Sequence, residues 1–222
     1  MADLTDLGFL KGVIAETVVS TCSDDGQPNA APMGAIMDSL QRIVIRIYTS
    51  SLTYKNLQLK RCAVVNVTSD AELFYRTAFK EANPNGEMPR EWFEKAETVD
   101  APRLKMADAF IEVNVVKISP LDAERAEAIC KVKLIKAQKV LPKVYCRALF
   151  ATIEAIIHAT RIKPFLTGDE QERKQALKLL KKIENCQDTV KHAAPNSPYS
   201  EIMSDLTRMI DSWRRVKGES VR

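Results

Sequence analysis

The hydrophobic pattern of this 222-residue chain changes period once, near Pro142, and that change restricts the fold to strands first and helices afterwards. From Phe9 to about Ala137 the pattern is that of strands with short helical interruptions. Val13 to Cys22 is rich in β-branched residues and runs into Asp24-Asp25-Gly26, a tight-turn signal. Pro28 to Met37 resumes as a second strand, so the two predict a hairpin. Pro32 cannot donate to a ladder, which places it at an edge, a bulge or a bend. From Arg42 to Tyr48 the alternation is clean, with Ile43, Ile45 and Ile47 facing one way.

Further along, Ser51 to Lys60 predicts a short helix, Cys62 to Val67 an apolar strand, and Ala71 to Phe79 a second short helix. Residues 81–103 carry Pro84, Asn85-Gly86, Pro89 and Pro102 and read as a long loop with one turn around Trp92. A loop of that length in a compact domain is more often functional than idle. Alternation returns at Ile111, Val113 and Val115, and again from Ile129 to Ile135. Beyond Pro142, Tyr145, Leu149, Ile153, Ile156, Ile157 and Thr160 predict one side of a helix from Val144 to Ile162. Thr167-Gly168-Asp169-Glu170 reads as a capping box opening a second helix that runs to about Asn185. Ser197-Pro198 reads as the start of a third, with Ile202, Leu206, Met209, Trp213 and Val216 as its packing seam.

Composition narrows the function classes. No apolar run reaches the roughly 18–20 residues that span a bilayer. Asp3 and Asp6 stand where a secretory signal would be basic and then apolar, so the reading predicts a cytoplasmic protein. The five cysteines form no CxxC pair and the chain has two histidines, which argues against a disulfide framework and a metal centre. A net charge of +4 suits a phosphate-bearing ligand without requiring nucleic acid.

Two segments are chemically unusual. Asn29-Ala30-Ala31-Pro32-Met33-Gly34-Ala35 combines small side chains with a proline, so its backbone can approach a flat ligand closely; the plainer reading is a bulged barrel strand. Tyr48-Thr49-Ser50-Ser51-Leu52-Thr53-Tyr54-Lys55-Asn56 gathers hydroxyls where a strand hands over to a helix, whose first amides lack intrahelical partners. Hydroxyls, free amides and a nearby cation suit a phosphate monoester; the plainer reading is a helix cap with spare serines.

The order of these motifs resembles the split-barrel flavoproteins related to flavin reductases and pyridoxamine-phosphate oxidases. The matching stretches are Asn29 to Pro32, Thr49 to Ser51, Thr53 with Asn56, and Val64-Val65-Asn66-Val67, over about residues 9–136. More narrowly, the chain resembles a largely archaeal group of uncharacterised proteins. In that group the barrel is followed by a helical segment like Arg147-Ala148, Ile153-Glu154-Ala155 and His158-Ala159-Thr160-Arg161. The resemblance implies an α+β fold: an FMN-binding split β-barrel, mostly antiparallel, over residues 1–140 and a helical C-terminal domain over 141–222. It also implies FMN at a homodimer interface. Thr49, Ser50, Ser51, Thr53 and Asn56 would then hold the phosphate. Ala31, Pro32, Met33 and Gly34 would meet the isoalloxazine, with Asn29 leading into them and Asn66 nearby. For the basic phosphate ligand, Arg46, Arg42 and Lys55 compete.

Arg147, Glu154, His158 and Arg161 fall in a narrow arc of the first long helix at about 100° per residue, and Glu154 and His158 can pair. The arc reads as a solvated face or as a network near a flavin or dimer interface. The leading expectation is an FMN-dependent oxidoreductase or electron carrier. Its alternatives are a non-catalytic protein that binds flavin or another phosphorylated heterocycle, and an interaction protein with a degenerate barrel. No glycine-rich dinucleotide fingerprint is present.

Overall fold

A computed structural model describes residues 3–138, 146–166 and 168–218, with side chains described as far as Arg215. Eight strands and five α-helices lie among these residues: β1 Ile14–Cys22, β2 Pro28–Ser39, β3 Arg42–Tyr48, α1 Leu52–Lys60, β4 Cys62–Val67, α2 Ala71–Ala78, β5 Phe93–Lys95, β6 Pro102–Leu104, β7 Ala109–Pro120, β8 Arg125–Ala137, α3 Arg147–Phe165, α4 Glu170–Ala193 and α5 Pro198–Gly218. The fold is α+β. Six strands close an antiparallel barrel in the order β1-β2-β3-β8-β7-β4, and β5 with β6 forms a separate ribbon. The chain divides into two compact units. One is the barrel unit, from the N-terminus to Ser69 and from Phe79 onward through β8; the other combines Asp70–Ala78 with the C-terminal helices.

The barrel interior follows from period-two alternation. Ile43, Ile45 and Ile47 of β3 are buried and pack with Val19, Ala35, Met37, Ala63, Val65, Ile111 and Val113. Odd-numbered positions of β1, β2 and β4 therefore face inward and even-numbered ones outward. The barrel closes where β1 meets β4, with Val18 opposite Asn66, Val19 opposite Val65 and Ser20 opposite Val64.

β2 follows β1 along its whole length, from Cys22 opposite Pro28 to Ile14 opposite Ile36. It pairs with β3 only from Ala35, opposite Ile45, to Ser39. Residues 28–34, Pro32 among them, thus pair with β1 alone, and the barrel is split between this half of β2 and the end of β3. The missing donor of proline costs nothing at such an edge. Helix α1 packs against β1, β2 and β3 at this split, and its Leu57 joins the core.

Asn66 fastens the outer face of the closure. Its side-chain nitrogen donates to Val18 O at 2.8 Å, Ser20 Oγ at 2.9 Å and Val64 O at 3.2 Å, and its Oδ1 accepts from Leu104 N at 2.9 Å. Ser20 Oγ in turn donates to Pro102 O at 2.6 Å. Residues 81–103 are more ordered than their composition predicts. Short 3-10 turns at Pro84–Gly86 and Arg90–Trp92 lead into the β5–β6 ribbon. The turn joining β5 to β6 is held by buried Glu112, whose carboxylate accepts from Glu97 N, Thr98 N and Thr98 Oγ1 at 2.6–2.8 Å. Arg103 pairs with Glu94 and Glu97 and lies 4.7 Å from the ring centre of Phe110.

In the helical unit, α3 buries Ala148, Thr152, Ile153, Ala155, Ile156, Ala159 and Ile162. The buried face is thus turned from the predicted one, and Thr160 is exposed. Small Ala residues on this side let neighbouring helices approach, which a count of large apolar residues overlooks. Helix α4 is capped by Asp169 in a reciprocal capping box with Glu172, two residues beyond the predicted box. It continues past Asn185 because Ala176, Ile183 and Val190 recur at a spacing of seven and are buried. Before α5, Ser197 Oγ donates to Ala194 O, while Ser200 Oγ accepts from Ser197 N. The buried seam of α5 takes in Met203 and Ile210 beside Ile202 and Leu206. Pro142, Val144, Tyr145, Thr167 and the Val216 side chain lie outside the described residues.

Replacing Asn66 with alanine strands the Leu104 amide and weakens the bonding of two buried carbonyls, and the orphaned amide alone costs about 1–3 kcal/mol. Urea denaturation should show a lowered midpoint with an unchanged slope.

Candidate functional site

The inward face of the barrel changes chemistry at the split. Along β1 it runs from apolar Val19 to Thr21, and along β2 from Ala35 through half-buried Met33 and Ala31 to Asn29. Helix α1 brings Thr53 from its first turn and Asn56 from its second to the same place. Thr21, Asn29, Thr53 and Asn56 are all at most 2% exposed. Asn56 Nδ2 donates to Thr21 Oγ1 at 3.0 Å, and Asn29 Nδ2 donates to Thr53 Oγ1 at 3.1 Å and to Thr21 Oγ1 at 3.3 Å. The helix that carries Thr53 starts here because Ser51 caps it, accepting from Tyr54 N at 3.2 Å.

Lys80, in the turn that follows α2, donates its ammonium to Asn29 Oδ1. No carboxylate lies within ion-pair distance of it among the described residues, and burial alone holds its pKa below the usual lysine value. A half-buried cation satisfied only by an amide oxygen is an unbalanced charge, and a bound anion would balance it. The adjoining first turn of α1 adds amides and a positive partial charge of its own.

The residues singled out in the sequence are distributed over three places. Asn29, Thr53 and Asn56 meet in this cluster, together with Thr21 and Lys80, which sequence reasoning did not single out. Thr49 and Ser51 lie in the β3–α1 connection, where Thr49 Oγ1 donates to Glu124 O at 3.0 Å and Ser51 serves as the cap; Ser50 between them is exposed. Ala31, Pro32, Met33 and Gly34 form the half-buried edge of β2 that β3 does not reach. The Met33 carbonyl accepts from Thr17 Oγ1 at 2.9 Å, and a Cβ on Gly34 would stand 2.7 Å from Ile14 Cγ2. Asn66 is on the outer face, its hydrogen bonds given to Val18, Ser20, Val64 and Leu104.

Among the competing cations, Arg46 is exposed and pairs with Glu127 of β8 at 3.3 Å, and Arg42 pairs with Asp38 at 3.4 Å. Lys55 is exposed on α1. In the helical unit, His158 Nε2 lies 3.8 Å from Glu154 Oε2, and burial lowers the pKa of the imidazole, which favours its neutral form. Arg147 and Arg161 are exposed. No helix among the described residues is long and apolar enough to cross a membrane.

Residues 15–140 match the family model described as "Protein of unknown function (DUF447) N-terminal domain". The chain is similar over 93% of its length to 99% of the crystal structure of an FMN-bound DUF447 protein from Methanosarcina mazei, at 25% identity and a TM-score of 0.74. A protein with a split barrel domain from Shewanella frigidimarina shares the fold at 14% identity and a TM-score of 0.51, over 61% of this chain and 75% of that one. The styrene monooxygenase flavin reductase of Pseudomonas putida aligns at 15% identity and a TM-score of 0.47, over 57% of this chain and 81% of that one. With its barrel and the surrounding sequence matched from residue 15 to residue 140, the chain belongs to the DUF447 family.

Proposed function

We propose that the barrel unit, residues 1–140, binds FMN and that the protein serves as a flavin-dependent oxidoreductase or electron carrier, with residues 141–222 as a helical domain. The observation that carries the reading is Lys80, a half-buried ammonium with no counter-ion among the described residues, hydrogen-bonded to Asn29 beside the first turn of α1. A phosphate monoester fits this donor set. Lys80 supplies charge, Thr53 and Thr21 supply hydroxyls, and Asn29 and Asn56 orient them. The DUF447 protein from Methanosarcina mazei is FMN-bound, which supports the same ligand here.

Ala31 to Gly34 offer a backbone edge without a β3 partner to the polar rim of a flat ring, and their small side chains leave room for it. Bound FMN would supply the redox chemistry by taking up and releasing electrons, while the chain supplies orientation and electrostatics. The barrel unit also exposes Leu10, Val13 and Ile14, at 65%, 52% and 56%, beside the end of β1 that pairs with β2. An apolar surface of this kind supports a homodimer. The five cysteines are free, which suits a cytoplasmic setting. A non-catalytic flavin carrier uses the same donor set and differs only in what the bound flavin then does.

Freshly purified protein should show flavin absorption bands and release FMN, identified by mass, on denaturation. Colourless protein whose melting temperature is unmoved by added FMN would overturn the reading. Reduction of the bound flavin by nicotinamide donors in a single turnover separates an enzyme from a carrier. Lys80→Met should weaken FMN binding about ten- to hundredfold, the range for losing one charge-assisted hydrogen bond, as titrated by flavin fluorescence.

Lys80 also sets an alkaline signature in the ligand-free protein. It loses its proton at a lower pH in the folded state than in the unfolded chain, where lysine titrates near 10.5. The unfolded state then binds more protons, so stability is lowest below the folded pKa and rises as pH climbs from there toward 10.5. Denaturation midpoints measured across that window should rise in the wild type and lose this component in Lys80→Met.

A further inference from the structure

The outer face of the β1–β4 closure holds two cysteines that the flavin reading does not use. The β1–β4 pairing sets Val18 opposite Asn66 and ends at Ser20 opposite Val64; carried two residues further along both strands, the same register would bring Cys22 opposite Cys62. Both are even-numbered positions, so both side chains share the face that carries Ser20 and Asn66. Directly opposed residues of antiparallel strands have Cα atoms about 4.5–5.5 Å apart, within the roughly 4.4–6.8 Å that a disulfide spans. Cys22 Sγ donates to Asp100 O at 3.2 Å. Each thiol also feels the charges of Lys60 and Asp100.

We propose that Cys22 and Cys62 form a reversible intramolecular disulfide, a thiol-modification site on the outer side of the strand whose inner side holds the polar cluster. The oxidant is a low-molecular-weight disulfide. One cysteine thiolate attacks it, forming a mixed disulfide and releasing one small thiol. The second cysteine thiolate then attacks the protein sulfur of that mixed disulfide, forming the Cys22–Cys62 bond and releasing the second small thiol. Two protein thiols are oxidised and one small disulfide is reduced to two thiols, so electrons and protons balance. Burial pushes both protein thiols above their ordinary value, which makes the pair slow to exchange.

The bond would tie the end of β1 to the first residue of β4, directly after α1. Thr21, the neighbour of Cys22, accepts from Asn29 and Asn56, so the linkage would fix one wall of the cluster. The site itself does not depend on the identity of the ligand.

The test is to equilibrate the full-length native protein in glutathione buffers of increasing oxidised fraction, quench with acid, alkylate, and map peptides by mass. The expected result is loss of two of the five alkylatable thiols, a Cys22–Cys62 linked peptide, and full recovery with dithiothreitol. Cys22→Ser and Cys62→Ser should each abolish that peptide and leave the remaining partner as a glutathione adduct. Retention of both thiols under oxidising buffer, glutathione adducts alone on the wild type, or linkage of either cysteine to a different partner would overturn the proposal. The wild-type map decides even if a serine variant fails to fold.

Discussion

A β-strand offers two faces to two environments, and the barrel unit depends on how β1 uses both. Val19 faces inward and joins the core, and Thr21, two residues on, meets Asn29 and Asn56. Ser20 faces outward and is bonded to Asn66 and Pro102, while Cys22 is bonded to Asp100. A slip of one residue in the β1–β4 register would exchange these sets, putting Ser20 and Cys22 against the core and Val19 under the ribbon. The network around Asn66 therefore does more than add hydrogen bonds. It ties the closing register to the position of β6, so that the barrel, its outer ribbon and the polar mouth are specified together.

The mouth is polar at a place where an apolar fill would be more stable. Four side chains there lie at or below 2% exposure, and each depends on its neighbours for hydrogen bonds. Such a network is stable when complete and costly when one member is lost. Adding a half-buried lysine with no carboxylate partner among the described residues raises that cost further. The phosphate of the proposed FMN would supply the counter-charge that this lysine lacks among the described residues. The parting of β2 from β3 at Ala35 gives the same mouth an open backbone edge, which a fully paired barrel would lack.

Much of this arrangement is legible in the sequence. Ile43, Ile45 and Ile47 declare an inward face, and Pro32 declares a strand that one neighbour must leave unpaired. The small-residue segment and the hydroxyl turn are visible as chemistry. Lys80 is not, because its partner Asn29 lies 51 residues earlier and only folding brings the two together. Local reasoning instead offers Arg42 and Arg46, yet the alternation that turns the isoleucines inward turns these arginines outward, toward Asp38 and Glu127. The β5–β6 ribbon is hidden for a similar reason. Its strands are three residues each, too short for a period, and tertiary bonds hold them in place.

Glu112 shows what that hidden ribbon means for the barrel wall. One buried carboxylate on β7 receives three donors from Glu97 and Thr98, so the ribbon's turn cannot lift away without exposing an acceptor set in the middle of a wall strand. Fraying and opening are therefore shared between them. What reads as a proline-rich loop behaves as part of the barrel's own cooperative unit, and the length of chain between β4 and β7 tells little about how independently it moves.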